Sequence, residues 1–109
     1  MKYNVKYLLN FDIYQIPCAN CEHVYIGQTG RNLSLRIKEH KYNISGNHSS
    51  ALTEHSNQSN EGHCIHINGA KYIHCEPELT KRLIAEAILI NQKNVFRNNT
   101  PSFDLRVFT

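Results

Sequence analysis

Two tyrosines, Tyr14 and Tyr25, flank the pair Cys18-Ala19-Asn20-Cys21 in a stretch where two short alternating apolar and polar runs are separated by turn-prone residues. Side chains alternate faces along a strand, so a hairpin here can bring both phenols to one surface. A phenol titrates near ~10 and needs help to act as a base. His40 is the helper at hand, four residues after Arg36 and on the same face of an expected helix. Arg36 offers planar donors that suit phosphate oxygens. Glu86 offers a carboxylate to a hard, oxygen-preferring divalent ion, magnesium or manganese. Together these groups meet the needs of phosphodiester hydrolysis: an activated water, a cation to neutralise the transition state and help for the leaving oxygen. Taken singly each has a plainer reading, the tyrosines as packing residues and the arginine and glutamate as solvated helix positions.

Gly27 and Arg31 are candidate substrate-binding residues, Gly27 because a missing side chain lets a phosphate or the following helix come close to the strand. The cysteine pair is half of a structural zinc site, since thiolates prefer zinc to magnesium. A thioredoxin-like redox role is disfavoured, because that motif opens a helix and this one lies in a hairpin turn. If no metal is held, the two cysteines are small strand-end hydrophobes. Cys64 and Cys75 are expected to be buried thiols.

These residues must be positioned by a small set of elements. After the hairpin, Thr29-Gly30-Arg31-Asn32 reads as a turn ending in an N-cap, followed by a helix over about 32–42 with Leu33 and Ile37 facing the core. A short helix over 50–55 and a polar loop over 56–62 come next. Residues 64–67 and 71–74 alternate enough to be strands around Asn68-Gly69, and the third strand of the sheet is expected among them. Pro77 suits the start of a helix through about Asn91, with Leu79, Leu83, Ile84, Ala87 and Ile88 as its buried stripe and Glu86 away from it. The tail from Asn94 reads as irregular, and the start from Tyr3 to Leu9 as a leader strand or linker remnant. The expected organisation is a leader over 1–11 and one domain over 12–109. The fold class is α/β: a small three-stranded, mostly antiparallel sheet flanked by helices, because two amphipathic helices cannot bury each other and a hairpin is unstable alone.

Composition narrows the function classes. The chain has 109 residues, a formal charge of +3 and a pI near 8.7, too mild for binding nucleic acid by charge alone, so a local patch or another domain must supply affinity. No secretory signal or membrane span is evident, and four cysteines without an export signal argue against a disulfide framework.

The order of strand, strand with Tyr25-Ile26-Gly27, then Arg-bearing helix resembles the GIY-YIG endonuclease domain. Two cysteines between the motif halves resemble the version carried by Penelope-like retroelements. The resemblance runs from about Asp12 to Asn98-Asn99; Asp12 stands where the family has glycine, which weakens the text match more than the chemistry. It implies that Tyr14, Tyr25, Arg36, His40, Glu86 and Asn98 are the catalytic set, with Asn99 the rival for the last place and Glu86 the ligand of a catalytic magnesium (or manganese). It also implies that His55 and His63 complete a structural zinc site with Cys18 and Cys21, with Cys64 the rival ligand, fastening the polar insertion to the hairpin. The function it implies is a mobile element's endonuclease that nicks DNA, located in the nucleus (or in the cytoplasm before import), not secreted, with no membrane partner and downstream of a reverse transcriptase in a longer polyprotein. Two alternatives stay open: an inactive zinc-stabilised module binding DNA or protein, and a host or repair-type nuclease acting on branched or damaged DNA.

Overall fold

The computed structural model describes residues 11–48, 50–57, 62–96, 99 and 101; the leader reading for Tyr3 to Leu9 falls outside them. Strands β1 (Asp12–Pro17), β2 (Val24–Thr29) and β3 (Lys71–Cys75) form one antiparallel sheet in the order β2-β1-β3. Helices α1 (Leu33–Ser45), α2 (Ala51–Ser56) and α3 (Leu79–Gln92) complete it. The central strand β1 is covered on both faces, which explains its nearly continuous burial. On one face Tyr14, Ile16 and Cys18 pack with Leu33 and Ile37 of α1, Leu52 of α2 and Phe96. On the other, Ile13 and Ile26 pack with Ile90 of α3. The expected α/β architecture is therefore present, with its helices divided between two sides of the sheet.

Local chemistry sets the boundaries. Asn32 caps α1, its side-chain oxygen accepting from the Ser34 amide at 2.8 Å, and the helix runs past the expected Tyr42 to Ser45. Ser50 caps α2 by accepting from Thr53 N at 3.1 Å, and Glu78 caps α3 by accepting from Thr80 N and Lys81 N.

Three expectations fail. Residues 64–67 form no strand: Ile65 makes an isolated bridge to Cys18, the His66 amide donates to Pro17 O at 2.8 Å, and a 3-10 turn at Ile67–Gly69 leads into β3. This segment extends the end of the hairpin instead of pairing with β3. Cys64 and Cys75 are exposed, Cys75 because β3 is an edge strand. The buried stripe of α3 is also misplaced. Leu79 and Ile88 are 54% and 41% exposed, while Arg82, Glu86, Ala87 and Ile90 are buried. Arg82 can be buried because its guanidinium is satisfied, Nε donating to Gln28 Oε1 at 2.8 Å and Nη1 to the carbonyls of Glu76 and Pro77.

Candidate active site and metal centre

In the β1–β2 register Tyr14 lies opposite Gly27 and Ile16 opposite Tyr25, so the two tyrosines are diagonal neighbours on the face covered by α1. Their ring centroids are 6.2 Å apart. His40 lies against both rings, 5.8 Å from Tyr14 and 5.3 Å from Tyr25. The Tyr14 hydroxyl and His40 Nε2 are 2.7 Å apart in a buried hydrogen bond. Gly27 makes this crowding possible: a Cβ there would lie 2.6 Å from the Tyr14 hydroxyl oxygen and 2.8 Å from Tyr25 Cε2. The space above Gly27 is thus filled by the tyrosines, a different use of the missing side chain from the phosphate approach expected for it.

Burial sets the protonation states. It pushes His40 down to about 3, with the Arg36 charge acting in the same direction, so the imidazole is neutral. A neutral ring with the proton on Nδ1 leaves Nε2 to accept from the Tyr14 hydroxyl. Burial raises both phenols above their ordinary value; Arg36 opposes the rise and the Glu86 charge adds to it. Both tyrosines therefore feel the guanidinium and the carboxylate. Glu86, 5% exposed, belongs to this buried group and not to a solvated helix face.

Arg36 is half-buried and donates through Nη1 to Glu39 Oε1 at 3.0 Å. Arg31 reaches the same carboxylate from the turn after β2, Nη2 lying 2.6 and 2.7 Å from its two oxygens. Asn98 falls outside the described residues. Its rival Asn99 is buried and pairs with the backbone of Ile26, donating to the carbonyl at 2.9 Å and accepting from the amide at 2.5 Å. That pairing fastens the tail to β2 directly beside Gly27.

The cysteines form a second cluster at the far end of β1. The ligand atoms of Cys18, Cys21, His55 and His63 all lie within 4.8 Å of one another. Cys18 Sγ is 3.5 Å from His63 Nδ1, Cys21 Sγ is 3.3 Å from His55 Nε2, and the two imidazole nitrogens are 3.2 Å apart. Bonds of ~2.0–2.3 Å to a tetrahedral zinc would put its ligands ~3.3–3.8 Å from each other. The donors fit zinc, and Cys64 is outside the set. The His55 ring stacks on Phe96 with centroids 4.0 Å apart, and Phe96 in turn lies 6.4 Å from Tyr25. A chain of rings thus links the metal cluster to the tyrosine site.

A family model for the GIY-YIG catalytic domain matches residues 10–99. The chain belongs to the GIY-YIG family. No curated protein and no solved structure matches it. GIY-YIG membership makes the chain a nuclease-type domain with DNA as the implied substrate. No helix among the described residues is long and apolar enough to cross a membrane. Sequence reasoning passed over two residues of this GIY-YIG site, Glu39 and Phe96. Glu39 was detectable, since it lies three residues after Arg36 and one before His40. Phe96 depends on tertiary contacts and carries no local signal.

Proposed function

We propose that this chain is a metal-dependent DNA endonuclease that nicks DNA for a mobile element of the Penelope-like type. The observation that carries the nuclease reading is the buried Tyr14–His40 hydrogen bond, set beside Tyr25 and within electrostatic reach of Arg36 and Glu86. The neutral His40 accepts the hydrogen bond of the Tyr14 hydroxyl, which leaves the phenolic lone pairs free to accept a hydrogen bond from the attacking water and to position it. Tyr25, less buried than Tyr14, orients that water from the neighbouring strand. Arg36 holds the scissile phosphate and compensates its developing charge. Glu86 is the residue that would hold magnesium or manganese, which when bound supplies further charge neutralisation at the phosphate. Asn98 and Arg31 complete the proposed set, Arg31 as a phosphate contact, while Gly27 makes room for the two tyrosines.

Zinc at Cys18, Cys21, His55 and His63 has a structural role in this reading, because four protein donors leave no open position. The mobile-element assignment is supported by the cysteine pair standing between the motif halves with two downstream histidines in reach of it. On that reading the domain acts in the nucleus, downstream of a reverse transcriptase in a longer polyprotein. The test is relaxation of supercoiled plasmid by purified protein. Nicking is expected with magnesium or manganese, to stop with a chelator and to fall with Tyr14→Phe. A metal-loaded, folded protein that binds plasmid without nicking it would instead favour an inactive binding module.

A further inference from the structure

The positive groups of the site are already paired with a carboxylate. Arg31 Nη2 and Arg36 Nη1, from the turn after β2 and from α1, converge on the single carboxylate of Glu39 at 2.6 to 3.0 Å. The two guanidiniums hold that carboxyl below its ordinary range. Arg36 and Glu39 also border a surface cavity of about 530 Å³ with Lys38, Tyr42 and Asn43. A carboxylate and a phosphodiester present the same pair of anionic oxygens to a guanidinium fork.

We propose that Glu39 occupies the phosphate position of the site and that the incoming phosphodiester must displace it from Arg31 and Arg36. The proposal deepens the nuclease reading and rests on it for the identity of the substrate. Displacement is cheap, because the bridge is exposed and such pairs are worth little in water. The released carboxylate nevertheless remains beside the site and repels a second anion. An isolated phosphate or mononucleotide therefore competes poorly with Glu39, whereas a longer DNA, anchored by contacts elsewhere, brings its phosphate at high effective concentration. Glu39 thus weakens the binding of any anion at the site, and only a polymeric substrate has contacts elsewhere to make up the loss. It also keeps Arg36 extended and oriented before substrate arrives, which a lone arginine on α1 would not achieve.

The experiment compares the parent with Glu39→Gln and with Glu54→Gln, which removes the same charge from the exposed side of α2. Inorganic phosphate is titrated by NMR of the arginine side chains, and a labelled duplex oligonucleotide by anisotropy without magnesium. At low salt, Glu39→Gln is expected to bind both probes roughly tenfold more tightly than the parent, with the gain shrinking as salt rises. The gain is expected to shrink when Arg31→Ala is added and to disappear when Arg36→Ala is added as well. A Glu39→Gln no tighter than Glu54→Gln, or a gain that survives the loss of both arginines, overturns the proposal. Gain for phosphate with no duplex binding by any variant would uphold the anion site and overturn DNA as its ligand.

Discussion

Asp12 takes the place of the family's glycine and is fully buried, with neither carboxyl oxygen finding a partner. Burial raises its pKa to about 6. Because the folded value lies above the ordinary one, ionisation opposes folding in full above pH ~6, and the penalty fades as pH falls toward ~4. His40 works in the opposite sense: its folded value of about 3 lies below the ordinary 6.5, so the stability it contributes is present above 6.5 and lost as pH falls from there toward 3. The two effects oppose each other between about pH 4 and 6. Asp12→Asn is therefore expected to stabilise the domain by ~1–3 kcal/mol near neutrality and by less near pH 4.5, as read from denaturant midpoints at the two pH values. An equal change at both, or a loss at neutrality, would show that the carboxyl is not an ionised, unpaired group.

At the scale of elements, the hairpin and the long helices were legible because their periods are simple. Tyr14, Ile16 and Cys18 share one face at period two, and Leu33 and Ile37 share a stripe on α1. The buried face of α3 was not legible. Hydropathy favours Leu79 and Ile88, yet Arg82 and Glu86 face inward, the arginine satisfied by Gln28 and two loop carbonyls. The strand expected at 64–67 failed for a related reason: its partner is the hairpin end at Pro17 and Cys18, remote in sequence. Within β2, Gly27→Ala is expected to cost ~1–3 kcal/mol and to disturb the Tyr14–His40 bond, since its methyl would meet the Tyr14 hydroxyl. Unchanged stability and an unchanged Tyr14 environment by NMR would show that the rings yield freely. In contrast, Ile88→Ser on the exposed side of α3 should change stability by less than ~0.5 kcal/mol.

For the whole molecule, the two clusters share a core. Cys18 lies at the end of the strand that carries Tyr14, and His55 reaches Tyr25 through Phe96. A small domain with an inserted polar segment gains from such a fastening, since bound metal adds its binding energy to folding. Purified protein is expected to carry one zinc, and chelation or Cys21→Ser to lower the thermal midpoint. Protein free of zinc and indifferent to the chelator would mean that the cysteines are only packing residues. Whether the buried Glu86 carboxylate serves hydrolysis at the tyrosine site is read from magnesium-dependent plasmid nicking with Glu86→Gln, a replacement that keeps the volume of a buried side chain. Nicking is expected to fall ~10²–10³-fold while the duplex is still bound and the thermal midpoint changes little. Nicking at the parent rate by a folded Glu86→Gln would mean that Glu86 has no part in the reaction.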